Sequence, residues 1–430
     1  MDSNKLNVLF DATILVDGEL GFSKRTGFFF VAIYLLECFL KRNDIHVVLM
    51  SKPAKMAGVN KVAERYFHQE IEVLYKTGIL SKLSLRISTE LSKLRNRWFK
   101  ISCIRKIFSG FSLIVESINE IVLFFRNPVK IEKNVIYFSP QTNAPLYIER
   151  KKQLKKFTIL HDCIPLKLLE YKSQINPKWP SYFSNPDYYF FSNSKNTLND
   201  FCEFYDVVKS RVFLSYLAAS EKFYPIKEKS QLMITKVKYH LPKEKKYIFS
   251  LCTLEPRKNL IRAVKSFIQF AKKNVVTDMI FAIGGPSWHD FENRLKDDLD
   301  IKDLYQKYVI WVGYVEDEDL SILYSNAEWF VYTSQYEGFG LPPLEAMQCG
   351  CPVITSNNSS LPEVVGDAGI MIDWDSDEQH IEAYEKYYFN DELRKENSRK
   401  GLERARRFSW EKTAKQIIDK MNSLNTGKND

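Results

Sequence analysis

The chain has 430 residues, 45% of them hydrophobic, which is ample for a packed core and more than a single core usually holds, since one core rarely grows past about 250–300 residues. Lys and Arg number 62 against 53 Asp and Glu, a formal charge of +9; that mild excess suits phosphate-bearing ligands, nucleic acid or an anionic membrane surface without choosing among them. The seven cysteines stand at 38, 103, 163, 202, 252, 349 and 351; none forms a CxxC pair, which reads as buried thiols in a reducing compartment and not as a disulfide framework.

From the N-terminus, "MDSNKLNVLFDATILV" is interrupted by Asp11 and lacks a basic start, so it does not read as a signal peptide. No apolar run reaches the ~18 residues that a membrane-crossing helix needs. The expectation is a cytoplasmic protein, soluble or peripheral on a membrane. "NVLFDA" (7–12) has the length and flanks of a buried strand, "KRTGFFFVAIYLLECFLKRN" (24–43) reads as a turn and a long apolar helix, and "IHVVLMS" (45–51) is a second strand. Strand, helix, strand implies a parallel sheet with crossover connections.

Residues 81–126 break the pattern. Lys82, Arg86, Lys93, Arg95, Arg97, Lys100, Arg105 and Lys106 face a single acid, Glu90, and "FSLIVESINEIVLFF" (111–125) follows. Three readings stay open: a solvated basic helical insertion, a basic surface tipped with Trp98, Phe99 and Phe108 that sits on an anionic membrane, or a nucleic-acid contact, which no accompanying motif supports.

Strand-like runs resume at 134–140, 156–162, 188–194 and 211–217. A polar, lysine-rich stretch (227–246) then marks a boundary near 220–240. A second alternating series begins with strands at 247–253, 279–285, 308–314, 328–334 and 351–357 and a helix at 259–273; a tail helix spans 409–424. The chain reads as two α/β domains in tandem: 1–225 with its insertion at 81–126, then 226–408, then a helix and tail at 409–430.

One stretch carries the chemistry. In "SQYEGFGLPPLEAMQCG" (334–350), Glu337 and Glu345 flank a glycine turn at the end of a strand. Pro342 and Pro343 suit the first turn of a helix, where a missing N–H costs nothing, and Gly350 suits its stop. Ligands of open parallel sheets bind at the carboxyl ends of strands. Gly338 and Gly340 let backbone approach a ligand, and free N–H groups at a helix start attract an anion. A carboxylate on either side of such a turn can accept from sugar hydroxyls flanking a diphosphate. On spacing alone, a turn cap at Glu337 and a helix-terminus charge at Glu345 explain the pair equally well.

The longer stretch "SQYEGFGLPPLEAMQCGCPVITSNNSSLPEVVGDAG" (334–369) resembles the donor-binding signature of retaining GT-B glycosyltransferases of the family 4 type, typified by bacterial mannosyltransferases and sucrose synthase. Its E-x7-E element is intact. "LEPRKNL" (254–260), "GYVEDEDLSILYSNAEWFVYTS" (313–334), "HDCIPL" (161–166), "SNSKNTLNDF" (192–201) and "FSWEKTA" (408–414) resemble further parts of that family. The likeness is good over about 135–225 and 245–420 and weak over 52–133.

The resemblance implies two Rossmann-like domains facing a central cleft, with the C-terminal helix returning toward the first. It implies that Glu337 contacts the transferred sugar, Glu345 the ribose, and the backbone of Gly338, Phe339, Gly340 and Leu341 the sugar and diphosphate. Arg257 and Lys258 match its phosphate-binding pair, where fixed cations stabilise the leaving diphosphate. The family usually has a basic residue where this chain has Thr253. His161 matches its active-site histidine beside the sugar, and Gly27, after Arg25 and Thr26, stands for its N-terminal glycine loop in a less usual form.

On this reading the enzyme moves a hexose, best matched by mannose from GDP-mannose, to a growing, lipid-linked cell-surface glycan. UDP-hexoses, dTDP-rhamnose, a non-catalytic sugar-nucleotide sensor and an epimerase of the same fold are the alternatives. No cofactor, metal or nucleic-acid partner is expected. "DWD" (373–375) resembles the metal site of the other main glycosyltransferase fold but follows the whole donor signature, and "IGGP" (283–286) lacks the full dinucleotide motif.

Overall fold

A computed structural model describes residues 5–21, 27–68, 70–74, 134–141, 144–175, 179–205, 207–285 and 302–426, with a few isolated positions between 86 and 118. Arg25, Thr26 and nearly all of the basic segment 81–126 lie outside the described residues.

Among the described residues two six-stranded sheets carry the chain. The first holds β1 (Leu6–Asp11), β2 (Ile45–Met50), β3 (Val135–Ser139), β4 (Lys156–Leu160), β5 (Tyr188–Ser192) and β6 (Val212–Leu214), in the order β2-β1-β3-β4-β5-β6. The second holds β7 (Lys246–Leu251), β8 (Met279–Gly284), β9 (Val309–Gly313), β10 (Phe330–Tyr332), β11 (Val353–Ser356) and β12 (Gly369–Ile372), in the order β12-β11-β10-β7-β8-β9. Every pairing in both sheets is parallel. Helices cover both faces, so the central strands are apolar and buried along their whole length, as in β1, β3 and β8. In the second sheet the strand order reverses between β7 and β10, and the ends of those two strands carry Arg257, Lys258 and Glu337.

The helix Gly27–Leu40 lies between β1 and β2, preceded by the short helix Thr13–Glu19, which no separate sequence signal marks. The lysine-rich stretch before β7 contains a helix, Lys229–Lys238, whose exposed polar faces hid its periodicity. β12 went unpredicted because it is a four-residue edge strand, too short to show a pattern.

The C-terminal helix Trp410–Thr426 returns to the first sheet. Its Trp410 ring stacks on Tyr34 of the helix Gly27–Leu40, centroids 5.4 Å apart. Thr413 Oγ1 donates to the Tyr216 carbonyl at 2.6 Å, and Lys155 donates to the Leu424 carbonyl. Among the described residues the chain thus crosses between the sheets twice, near 219–225 and near 405–411. Both crossings line one cavity of about 630 Å³. Gln348 fastens the first crossing by donating to the Ser220 and Phe223 carbonyls at 2.8 and 2.9 Å. Among the described residues no helix is long and apolar enough to cross a membrane.

Candidate active site

Between the sheets lies a cavity of about 500 Å³. All ten residues singled out in the sequence line it: Gly27 and His161 from the first sheet's half, and Arg257, Lys258, Glu337, Gly338, Phe339, Gly340, Leu341 and Glu345 from the second.

The floor is an ion cluster. After β7 the chain makes a single turn, Pro256–Lys258, that ends on Asn259 in the left-handed region. The turn aims Arg257 and Lys258 at the loop leaving β10. Lys258 Nζ lies 2.6 Å from Glu337 Oε1, and Arg257 Nη1 lies 3.0 Å from the same oxygen. All three side chains are at most a tenth exposed. Burial by itself would raise the Glu337 carboxyl, but the Lys258 ammonium and the Arg257 guanidinium outweigh it and hold the pKa at about 2. Lys258 also donates to the Tyr332 hydroxyl at 2.6 Å, and Arg257 to the Tyr336 carbonyl at 2.9 Å and to Glu255 at 3.1 Å. Glu337 is therefore an ionised acceptor fixed between two cations, not a turn cap.

Glu345 is different. Half-buried on the helix Leu341–Gln348, it receives one hydrogen bond, from Tyr324 Oη at 3.1 Å. Burial pushes its carboxyl up to about 7, against the pull of Tyr324 and with a small contribution from Asp317. The two glutamates thus carry opposite electrostatic perturbations in one cavity, the pattern of a site with divided roles.

His161 opens the loop after β4. Its Nε2 is 2.6 Å from the Pro140 carbonyl, which can only accept, so Nε2 carries the proton and Nδ1 is left as an acceptor. Burial lowers its pKa to about 4, the carbonyl bond opposing, so the ring is neutral at neutral pH. Phe28 packs on it with ring centroids 4.3 Å apart.

The glycines answer to protein packing as well as to a ligand. A Cβ on Gly338 would lie 1.9 Å from the His161 carbonyl oxygen. Gly340 has φ +116°, and its Cβ would press within 2.8 Å of Leu361. The turn between the two glutamates therefore touches the histidine loop directly. Gly27, at the start of its helix, faces Leu341 across the cavity, its Cβ position 3.9 Å from Leu341 Cδ1.

Several lining residues were not singled out individually: Phe28 and Tyr34, and also Asp162, Asn193, Asp317 and Tyr332, which fall inside family-like stretches without being assigned a role. Tyr332 reads as core because it sits inside an apolar strand. Asp162 adjoins His161, and burial raises its carboxyl, which accepts from Ile164 N–H at 3.0 Å. Thr253 lines the cavity and donates to Glu255 at 2.5 Å. The "DWD" turn does not line it: Asp375 pairs with Arg262, and the Trp374 carbonyl accepts from Asn259 at 2.6 Å, fastening the turn to the start of the helix Leu260–Lys273. No group of three His, Cys, Asp or Glu placed to hold a metal occurs among the described residues.

Residues 234–404 match the family of glycosyl transferases group 1. The O-antigen chain mannosyltransferase B of Escherichia coli is 31% identical over 292 residues, 67% of this chain and 74% of that protein. The serotype-specific mannosyltransferase WbdA of the same organism is 30% identical over 274 residues, 62% of this chain but only 33% of that longer protein. In fold, the Anabaena protein Alr3699/HepE, solved in complex with UDP and glucose, superimposes with a TM-score of 0.65 at 14% identity, over 97% of this chain and 100% of that one. Twin parallel sheets, an E-x7-E turn seated on a basic pair, and a relative of this extent together show that the chain belongs to the group 1 glycosyltransferases, as a hexosyltransferase of the GT-B fold.

Proposed function

We propose that the protein is a retaining transferase that moves mannose from GDP-mannose to a growing, lipid-linked cell-surface glycan. The observation that carries this reading is the Glu337 carboxylate held at 2.6 and 3.0 Å from Lys258 and Arg257, in one cavity with His161 and Glu345. In the reaction the bond from the sugar's C1 to the diphosphate oxygen breaks, and its electron pair leaves with the nucleoside diphosphate. A bond from an acceptor hydroxyl oxygen to C1 forms on the same face, and the hydroxyl proton passes to the departing diphosphate. Lys258 and Arg257 offset the charge that develops on the leaving oxygens. Glu337, ionised at every physiological pH, accepts from sugar hydroxyls and keeps both cations in place. Glu345 accepts from the ribose, and neutral His161 offers Nδ1 as an acceptor beside the sugar. The two cations supply the charge that a metal supplies elsewhere, so the transfer is proposed to need none.

The Escherichia coli relatives, an O-antigen chain mannosyltransferase and a serotype-specific mannosyltransferase, support mannose as the sugar and an O-antigen-type chain as the acceptor. A thermal-shift screen of GDP-, UDP- and dTDP-sugars tests the donor. Stabilisation by GDP-mannose is expected; stabilisation by UDP- or dTDP-sugars alone would refute that choice. The basic segment 81–126 supports peripheral work at the inner face of the cytoplasmic membrane. Salt-sensitive binding to anionic vesicles is expected, lost when Arg95, Arg97, Lys100, Arg105 and Lys106 are changed to Gln. Indifference of the wild-type chain to such vesicles at low salt would end that part of the proposal.

A further inference from the structure

Beside the cavity, the helix Lys195–Tyr205 of the first sheet's half points its N-terminus at the helix Leu361–Val365 of the second. The first N–H groups of any helix lack partners inside it. Here Lys195 N and Asn196 N donate to the two carboxylate oxygens of Glu363, each at 2.8 Å, and Thr197 N donates to Ser194 Oγ at 3.0 Å. Tyr216 Oη completes the Glu363 carboxylate at 2.9 Å. Glu363 thus caps a helix that belongs to the opposite sheet.

The same helix grips both neighbours of Glu337. The hydroxyls of Ser194 and Thr197 donate to the Gly338 carbonyl at 2.8 and 3.1 Å. Tyr336 Oη donates to Asp200 at 2.6 Å and accepts from Asn196 Nδ2 at 3.1 Å. On the reverse side, Arg404 holds the Glu363 helix through the Glu363 and Val364 carbonyls at 2.7 and 3.0 Å. None of Glu363, Ser194 and Thr197 lines the cavity. Lys195 is exposed and Asn196 half-buried, so water can take the place of the Glu363 carboxylate there when the halves part, whereas Ser194 and Thr197 are buried against the Gly338 carbonyl while the halves are together.

We infer that Glu363, with Ser194 and Thr197, is a positioning clasp that seats the Glu337 loop against the His161 loop, and that the halves reach the geometry for transfer only while it is engaged. The alternative is a contact that serves stability alone. In Glu363→Ala, GDP and UDP should bind within about threefold of wild type while kcat falls by about 10²-fold, the scale of a misplacement of about 1 Å at a reacting centre. Glu363→Asp should recover part of kcat, and Ser194→Ala, a milder change, should lower kcat in the same direction. Small-angle scattering should show a larger radius of gyration for Glu363→Ala with and without nucleotide. That arm needs no sugar donor, so it decides the clasp even if GDP-mannose proves the wrong donor. Wild-type kcat and unchanged scattering in Glu363→Ala would overturn the inference, as would a loss of turnover that merely follows lost nucleotide affinity or a lowered melting temperature.

Discussion

Replacing Glu337 by Gln removes the carboxylate that two buried cations share. Its pKa of about 2, against an ordinary 4.5, measures how strongly the fold favours the charged form; at 1.36 kcal/mol per tenfold change in acidity, that is about 3 kcal/mol. Because the folded pKa is depressed, this stability is fully present above pH 4.5 and lost as the pH falls through about 2. Glu337→Gln should therefore be about 3 kcal/mol less stable than wild type at pH 7, in line with breaking one side of a buried ion pair. The same change leaves Lys258 and Arg257 facing the cavity without their shared anion. A free nucleoside diphosphate should then bind at least as well as to wild type and raise the melting temperature by more, while turnover falls by about 10²-fold or more. Thermal melts at pH 7 with and without GDP, together with initial rates on GDP-mannose, test both halves. A variant that melts with wild type and turns over normally would refute the reasoning.

Glu345 has the opposite sign. Its carboxyl is raised to about 7, so the stability it contributes is complete below pH 4.5 and lost as the pH rises through 7; the full change is about 3 kcal/mol, an upper figure because the side chain is partly exposed. Melts of the empty protein from pH 5 to 8 should fall more steeply for wild type than for Glu345→Gln, and parallel curves would contradict the assignment. Gly338→Ala must push the His161 carbonyl away from a Cβ placed at 1.9 Å, so it should fold with transfer reduced by about 10²-fold; wild-type rates would show that the loops need no such contact. Transfer should also survive excess chelator. Loss restored by manganese or magnesium would bring metal chemistry back into question.

Much of this architecture is legible in the sequence, because parallel strands covered on both faces become short apolar runs with glycine and polar ends. "NVLFDA", "MIFAIGG" and "YVIWVGY" announce β1, β8 and β9 within a residue or two. The elements that escaped are those without such contrast: the polar helix Lys229–Lys238 and the four-residue β12. Within the site, Glu337, Glu345, Arg257 and Lys258 announce themselves as charges set among prolines and glycines. Tyr332 and Tyr324 do not, because a hydroxyl at the tip of a buried ring looks like core until the partner is seen. Gly338 is legible as a glycine but not for its packing reason, since its neighbour, the His161 carbonyl, lies 177 positions earlier in the chain. Glu363 is hidden in the same way: two of its three partners are backbone N–H groups, which leave no trace in residue identity.

The two crossings between the sheets have a mechanical meaning. A single tether would let the two bodies swivel about three axes. Two tethers side by side, at 219–225 and 405–411, act as the spine of a book and leave one easy rotation, about the line that joins them. Along that path the clasp and the cation turn would meet their counterparts in the same register at every closing, with no search over orientations. The Trp410–Tyr34 stack sits on the spine, so loosening it would cost the motion its direction before it cost either half its fold.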